Sequence, residues 1–303
     1  MIGAAMSLDH PAVITCSISG SIANRAQCPA IPYTPAEYAA EARRIVDEGG
    51  VHIHIHARTP AGEPSYEVED FVAIRDAIRA EVGDAAIVNF STGTVGVPVA
   101  KRIDYLRAGR PEVAALNMGS LNYAKYSAKR KELVFDFVFA NPFSEILELL
   151  AAMRELQIKP EHECFDVGHV ASLAPLVDMG KLATPVHADF VMGVLGGIPA
   201  TARNLAAMAD NLAEIPGGPH HWGVIGIGRD QWSMVAAALT LGGSIRVGLE
   251  DNFYLPDGRM ASSNGELIAQ ARALTEATGR RAATVQEARA MLGVQPVDAG
   301  VAA

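Results

Sequence analysis

The chain alternates short, largely apolar runs with longer segments in which apolar residues recur every three or four positions. Runs of the first kind are typical of buried strands, and segments of the second kind are typical of amphipathic helices. A helical segment follows each run, and the runs occupy residues 13–19, 51–57, 86–91, 113–118, 162–167, 189–194, 221–227 and 244–249. This succession predicts a single parallel (β/α)8 TIM barrel domain over residues 1–303, with a short C-terminal extension after the eighth helix.

Two local signals refine this prediction. The first helix has Thr34 as its expected N-cap, Pro35 in its first turn and glycine at its end. The polar loop after the fourth strand contains an apolar stretch at 133–139, which predicts a short extra strand. A doubly wound open sheet is the alternative architecture, and it is less favoured because no GxGxxG fingerprint follows the first strand.

Histidines occupy every second position of the second run, VHIHIHA. Because strand side chains alternate between faces, His52, His54 and His56 point the same way. The last run ends in Glu250 and Asp251, and in a closed barrel only the first strand separates it from the second. Two histidines and a carboxylate would form a catalytic metal site with one open coordination position. The alternative is a pair of core histidines that are hydrogen-bonded inside the barrel.

Composition narrows the class of protein. The net charge is −9 and the basic residues are dispersed, which argues against a nucleic-acid partner. No apolar run reaches the roughly 18 residues that span a membrane, and the start lacks the basic segment of a signal peptide. Cys16, Cys28 and Cys164 are too few and too widely spaced for a disulfide framework or a cysteine-rich zinc site. We therefore expect a cytoplasmic protein without membrane partners.

Eight segments together resemble the β-keto acid cleavage enzymes, and the resemblance runs from Val13 to about Gly293. The segments are PYTPAEYA (32–39), HIHAR (54–58), FSTGT (90–94), LNMGSLN (116–122), ECFDVG (163–168), FVMGVLGGIPAT (190–201), GIGRDQ (226–231) and RVGLEDN (246–252). HxHxR alone is a weak motif, but its combination with RVGxEDN is specific. The resemblance implies a zinc-bearing barrel that condenses a β-keto acid with acetyl-CoA, giving acetoacetate and a new acyl-CoA. It also implies a homotetramer.

The resemblance assigns roles to particular residues. His54, His56 and Glu250 match the zinc ligands. Arg246 and Asp251 match residues implicated in proton handling, and Asp251 is the expected base toward acetyl-CoA. Ser91 matches a catalytic serine. His52 is expected to be structural or to support a ligand histidine, and the remaining histidines are expected to be structural or at the surface.

A ring of polar strand ends predicts a cavity for a small polar substrate. The residues expected to bind substrate there are Ser19, Ile22, Arg58, Thr92, Gly93 and Asn117. Arg58 is either a solvated charge at the rim of the barrel or a residue with a structural or anion-positioning role. The STGTVG loop is either a simple turn or, with its glycines and hydroxyls before a helix, a site for a substrate carboxylate.

Two positions depart from the resembled pattern. Ile22 stands where the family commonly has a glutamate that binds a substrate amino group, and Ala115 stands where a threonine or serine is frequent. Both changes predict a β-keto acid with an uncharged side chain. Two other functions remain open: a zinc-dependent retro-aldolase or hydrolase that does not use CoA, and a non-catalytic barrel that binds a metal or a keto acid.

Overall fold

Eight parallel strands form a closed barrel in the computed structural model of this chain, which describes residues 10–294. The strands, numbered along the chain, are β1 (Ile14–Ser17), β2 (His52–Ile55), β3 (Ile87–Ser91), β4 (Val113–Asn117), β5 (Leu121–Ser127), β6 (Glu132–Phe139), β7 (Lys159–Cys164), β8 (His187–Met192), β9 (His221–Gly226) and β10 (Ser244–Val247). Of these, β5 and β6 form a separate hairpin, and the others form the barrel. The predicted (β/α)8 fold is therefore confirmed.

Helices cover the outside of the barrel. They are α1 (Pro35–Asp47), α2 (Val68–Val82), α3 (Val99–Gly109), α4 (Phe143–Glu155), α5 (Val167–Ala171), α6 (Leu173–Asp178), α7 (Ala202–Ala213), α8 (Gln231–Leu241), α9 (Asn264–Ala277) and α10 (Val285–Leu292). Thr34 caps α1 as predicted, and Glu37 completes a capping box. No helix within residues 10–294 is long and apolar enough to cross a bilayer.

One predicted helix differs from the structure. One helical segment was expected after the run at 162–167, but two short helices follow it, since α5 ends at Ala171 and α6 begins at Leu173. Pro175 lies in the first turn of α6, where its missing N–H leaves no hydrogen bond unmade. A continuous helix would instead place this proline in its interior, where it would remove a hydrogen bond and clash with the preceding turn.

The barrel closes through β1, which pairs with both β2 and β10. In this register Ser17 lies opposite His54, and Thr15 lies opposite Arg246. The two sequence segments that carry the candidate metal ligands are therefore separated by a single strand, as predicted.

The hairpin of β5 and β6 lies beside the carboxyl ends of the barrel strands. Only its second strand was predicted, because LNYAKYS in β5 is too polar to be recognised from its apolar content. Leu121 and Phe139 anchor the hairpin to Phe165, Val191 and Ile225 of the barrel. The hairpin therefore adds an aromatic wall at the end of the barrel where a site is expected.

The C-terminal extension closes the opposite end of the barrel. Val285, Ala288 and Leu292 of this extension are buried against apolar residues at or just before the starts of four strands, namely Val13, Val51, Ile87 and Val113. Ala12 also forms a parallel bridge with Ala282. The extension is therefore part of the hydrophobic core, and both ends of the described chain lie away from the carboxyl ends of the strands.

Candidate active site

Two histidines and one glutamate converge where β2 and β10 end. His54 lies on β2, His56 follows it, and Glu250 lies in the turn after β10. The Nε2 atom of His54 is 3.7 Å from Glu250 Oε2, and Nε2 of His56 is 3.4 Å from Glu250 Oε1. One ligand atom from each of the three residues lies within 4.8 Å of the others. The predicted ligands are thus brought together.

The turn after β1 supports Glu250 through the backbone. Glu250 donates its N–H to the carbonyl oxygen of Ser17, at 3.2 Å. Gly20 has φ +61°, and a Cβ at this position would lie only 2.6 Å from Glu250 Cγ. Both the backbone conformation and the close approach therefore require glycine at position 20.

The protonation states and free atoms of this cluster suit a divalent cation. Both ring nitrogens of His54 and the Oε2 atom of Glu250 are buried without a hydrogen-bond partner among residues 10–294. Burial holds the pKa of His54 well below its usual value, so its imidazole is neutral and offers a lone pair. Burial opposes ionisation of Glu250, but the nearby His56 and Arg246 outweigh it and lower the pKa of Glu250. Two imidazoles and a carboxylate match the donor set of catalytic zinc.

Arg246 joins three carboxylates beside this cluster. It binds Asp251 with two nitrogens, Nε to Oδ2 at 2.9 Å and Nη2 to Oδ1 at 3.0 Å. It also donates to Glu250 Oε1 at 2.9 Å and to Glu163 Oε1 at 3.0 Å. The guanidinium therefore fixes the relative positions of a candidate metal ligand and the candidate base.

Asp251 accepts a further hydrogen bond, from the hydroxyl of Ser17 to Oδ2 at 2.5 Å. Burial raises the pKa of Asp251 even though Arg246 opposes the shift. A buried carboxylate of raised pKa is more basic than one in water, which suits a group that accepts a proton.

Glu163 was not predicted as a site residue. It lies on β7 and contacts Arg246, and burial raises its pKa to about 7 against the opposing effect of that arginine. The sequence does carry a signal, since Glu161 and Glu163 alternate along β7 in the same way as the histidines of β2. Such alternation places both carboxylates inside the barrel.

A cavity of about 240 Å³ opens above these groups. Eight of the predicted site residues line it, namely Ile22, His56, Ser91, Gly93, Asn117, Arg246, Glu250 and Asp251. A Cβ on Gly93 would lie 3.0 Å from Asn117 Nδ2 and 3.5 Å from Ser91 Oγ, so these two polar groups face the same small volume. The cavity is thus ionic on the side of β2 and β10 and carries a hydroxyl and an amide on the side of β3 and β4.

The opposite wall of the cavity is apolar. Tyr123, Phe137 and Phe139 of the hairpin line it together with Phe165 and other barrel residues. The rings of Tyr123 and Phe137 are stacked, with centroids 5.2 Å apart. These aromatic residues were not predicted as site residues, because their strands lie outside the barrel repeat.

Three predicted substrate-binding residues lie outside the cavity lining. The guanidinium of Arg58 donates to backbone carbonyls of Ser19, Gly20, Gly62 and Ala23, and so fixes the loop after β1. Thr92 donates its hydroxyl to the carbonyl of Ala115. These side chains shape the backbone around the cavity and do not present a polar group to it.

Ser19 instead supports His56. The hydroxyls of Ser19 and Tyr38 both donate to the backbone carbonyl of His56, at 3.0 and 2.6 Å. Ala115 is fully buried and lies outside the lining as well. His52 lies one layer deeper than His54, with Nδ1 3.0 Å from Thr15 Oγ1 and Nε2 3.7 Å from Glu161 Oε2.

Several known proteins are similar to this chain along nearly its whole length. The chain is 36% identical to the 3-keto-5-aminohexanoate cleavage enzyme of Acetoanaerobium sticklandii over 282 residues, covering 93% of this chain and 98% of the relative. It is 33% identical to the 3,5-dioxohexanoate:acetyl-CoA acetone transferase of Paraburkholderia graminis, over 95% of this chain and 97% of that protein. It is also 32% identical to the 3-oxoadipate:acetyl-CoA acetyltransferase of Cupriavidus necator, covering 96% and 98%.

Solved structures support the fold. The apo structure of ObcA superposes with a TM-score of 0.74 at 20% identity, and the match covers 88% of this chain and 66% of that one. A family model described as beta-keto acid cleavage enzyme matches residues 11–294. This match spans nearly the whole described chain, so the chain belongs to the beta-keto acid cleavage enzyme family.

Proposed function

We propose that this chain condenses a β-keto acid with acetyl-CoA in a zinc-dependent reaction that gives acetoacetate and a new acyl-CoA. The observation that carries the proposal is the grouping of His54 with His56 and Glu250, the last two of which line the cavity beside the Arg246–Asp251 pair. The names of relatives from Paraburkholderia graminis and Cupriavidus necator place acetyl-CoA in their reactions and support its use here.

His54, His56 and Glu250 would hold the zinc ion. When bound, zinc would supply Lewis acidity to a keto oxygen and stabilise the negative charge that develops on it. Arg246 keeps Glu250 ionised and oriented, so the donor set stays intact while the neighbouring carboxylate exchanges a proton.

Asp251 is the group that takes a proton from the α-carbon of the β-keto acid, which lies between its ketone and its carboxylate. The proton does not come from acetyl-CoA, as was expected, because this α-carbon and its carboxylate become part of acetoacetate. Its Oδ2 already accepts from Ser17 and from Arg246 Nε, whereas Oδ1 accepts only from Arg246 Nη2. Oδ1 is therefore the atom with capacity for the transferred proton. The resulting carbanion attacks the thioester carbon of acetyl-CoA and displaces the CoA thiolate. The thiolate then adds to the original ketone carbon of the β-keto acid, and cleavage of the bond between that carbon and the α-carbon gives the new acyl-CoA. The departing α-carbon takes back the proton from Asp251, which completes acetoacetate.

Ser91, Gly93 and Asn117 bind the carboxylate of the β-keto acid. Ser91 and Asn117 present a hydroxyl and an amide to the same volume, and Gly93 lets the substrate approach the backbone. Neutral donors suffice for a single carboxylate when they converge on it.

The substrate side chain is uncharged. The aromatic wall of Tyr123, Phe137 and Phe139 offers apolar contact, and Ile22 lies at the cavity with no carboxylate to pair with an ammonium group. Ile22 is 60% exposed, so the discrimination at this position is moderate and much of the preference comes from the aromatic wall.

A panel of β-keto acids, each incubated with and without acetyl-CoA, tests the proposal by following CoA-ester formation. Formation of acetoacetate and a new CoA ester only in the presence of acetyl-CoA is the expected result. Cleavage that is independent of acetyl-CoA would support the retro-aldolase or hydrolase alternative instead. Absence of turnover with every member of the panel, in zinc-loaded protein, would leave a binding protein.

The proposal extends to assembly and location. We expect a homotetramer, which sizing by light scattering at micromolar concentration checks, and a monodisperse monomer would contradict it. A cytoplasmic location is supported by Cys16, Cys28 and Cys164, which are buried thiols that form no disulfide.

A further inference from the structure

A second group of ionisable side chains lies deeper in the barrel, below the site described above. Glu161 on β7, together with His187 and Asp189 on β8, places one ligand atom of each residue within 4.8 Å of the others. The His187 Nε2 atom is 3.2 Å from Asp189 Oδ2 and 4.0 Å from Glu161 Oε2. All three side chains are buried. The function proposed above uses none of them.

Several polar atoms in this group have no hydrogen-bond partner among residues 10–294. They are Nε2 of His52, Oε1 of Glu161, Oδ1 of Asn89 and Nδ1 of His187. His52 is oriented by Thr15 at Nδ1, which leaves Nε2 directed to Glu161 at 3.7 Å. Because buried polar atoms almost always have a hydrogen-bond partner, several unpaired ones in one place indicate a missing partner.

The neighbouring strand leaves space for the carboxylate of Asp189. A Cβ on Gly223 would lie 2.1 Å from Asp189 Oδ1, so only glycine at this position of β9 accommodates the carboxylate. Asn89 Nδ2 donates to Glu161 Oε2 at 2.7 Å and fixes the second acid. Ligands that are themselves held by hydrogen bonds are a common property of metal sites.

A path of ligand atoms joins this group to the cavity. Glu163 lines the cavity, and His54, Glu161 and Glu163 each place an atom within 4.8 Å of the others. An ion can therefore pass from the cavity wall to Glu161 by exchanging one oxygen or nitrogen ligand for the next.

The charge of the group favours a cation. Two carboxylates, of Glu161 and Asp189, lie in this core together with the imidazoles of His52 and His187, and all four side chains are buried. A divalent cation would balance the two carboxylates, which would otherwise be buried without a compensating charge.

We propose that Glu161, His187 and Asp189, with His52 as a fourth ligand, form a second metal site that holds a divalent cation such as zinc, cobalt or manganese. Two imidazoles and two carboxylates give a four-ligand set with no position left for substrate, which is the pattern of a structural site. The ion ties β2, β7 and β8 together across the barrel interior.

Metal stoichiometry tests this proposal. The full chain is freed of metal with a chelator, reloaded with Zn²⁺ or Co²⁺ in excess, desalted and measured by elemental analysis. Two ions per chain are expected for the wild type. We expect one for His56→Ala, which removes a ligand of the first site, one for Asp189→Asn, and none for the double variant. Co²⁺ absorption then reports a four-ligand environment in His56→Ala.

His162→Gln is the matched control, because His162 is a fully buried histidine of β7 whose Nδ1 lies 2.8 Å from the carbonyl oxygen of His187, yet it belongs to neither ligand set. It should keep two ions. Thermal melting of His56→Ala gives a second measurement, and added Zn²⁺ should raise its melting temperature. One ion in the wild type together with none in His56→Ala overturns the proposal, as does an unchanged count of two in Asp189→Asn. Either result would mean that protons or water satisfy these side chains.

Discussion

Arg246 determines how three acidic side chains share one small volume. Its guanidinium pairs with Glu163, Glu250 and Asp251 while being almost fully buried. Lysine can carry the same charge, but a single ammonium cannot reproduce the planar fork that binds Asp251 at two oxygens. The orientation of Asp251 therefore depends on arginine at this position.

Arg246→Lys is expected to lower kcat by at least about tenfold, because the base loses its orientation. Zinc content should remain close to that of the wild type, since all three ligands are unchanged and lysine keeps a positive charge beside Glu250. Steady-state kinetics together with metal analysis check this. A wild-type kcat in the lysine variant would show that a positive charge alone is sufficient to orient Asp251.

Asp251→Asn is expected to retain metal and to lose roughly 10²–10⁴-fold in kcat, the usual effect of removing a positioned base. Asparagine has almost the same shape, so the structural cost is small. Ser17→Ala is the matched comparison, because it removes only the hydroxyl that donates to Asp251 Oδ2. Its effect on kcat should be much smaller. Near-normal turnover in Asp251→Asn would exclude this residue from proton transfer.

Ile22→Glu is expected to improve kcat/KM for an amino-substituted β-keto acid relative to a simple 3-oxo acid. The carboxylate would pair with the ammonium group at the cavity mouth, and a partly exposed pair of this kind is worth about 0.2–1 kcal/mol. The expected change in the ratio is therefore only a few-fold. Competition between the two substrates measures it directly, and an unchanged ratio would count against the assignment of Ile22 to the substrate side chain.

At the scale of single elements, the hairpin of β5 and β6 adds substrate contact that the barrel itself does not provide. Phe137 faces the cavity and stacks on Tyr123, whereas its neighbour Val138 is 63% exposed. The two side chains are adjacent on one strand and point to opposite faces.

Phe137→Ala is expected to raise KM for apolar β-keto acids several-fold, since it removes a ring from the cavity wall. Val138→Ala, on the outer face, should leave KM unchanged. Melting temperatures of both variants should stay near that of the wild type, because the hairpin lies outside the barrel sheet. Equal KM values for the two variants would contradict a role of the hairpin in substrate binding.

Elements were predictable from the sequence where local patterns determine them. A helix follows β3 as predicted, and the alternating histidines of β2 are buried as expected for an interior face. Strand ends were predicted too long, because apolar content continues into residues such as Leu249 that pack in a turn after β10. β5 was missed because its stability comes from pairing with β6, which no local pattern in LNYAKYS reveals.

At the scale of the whole molecule, the site features that could not be predicted from the sequence are those that depend on contacts between distant segments. The candidate ligands His54, His56 and Glu250 could be predicted because HxH and EDN are each local motifs. The group of Glu161, His187 and Asp189 could not be predicted, because these residues share no sequence motif and meet only through the pairing of β7 with β8. The hydrogen bonds from Arg58 to backbone carbonyls could not be predicted either. They depend on the path of the loop after β1, which side-chain patterns do not specify.

Buried histidines outside the ligand sets make the whole fold sensitive to acid. Burial lowers the pKa of His162 to about 3, against a value near 6.5 for an unfolded histidine. Between these pH values the unfolded chain binds a proton that the folded chain does not, so stability falls as the pH falls from about 6.5 toward 3. Above about 6.5 this histidine has no effect on the pH dependence.

Each protein is referred to its own free energy of unfolding at pH 7.5. Between pH 6.5 and pH 4, His162→Gln should then lose less stability than the wild type. The contribution of one such histidine to the slope approaches about 1.4 kcal/mol per pH unit. Chemical denaturation across this pH range measures it. A slope identical to that of the wild type would mean that His162 is protonated in the folded state.

The pairing of Ala12 with Ala282 and the packing of α10 under the barrel place both described ends of the chain on the face opposite the cavity. An anchor or a fused domain attached through either end would therefore leave the substrate entrance pointing outward. Immobilised on a resin by a terminal tag, the enzyme should keep the KM that it has when free. A linker that instead splits the loop between β5 and β6 would place the attached partner directly over the entrance.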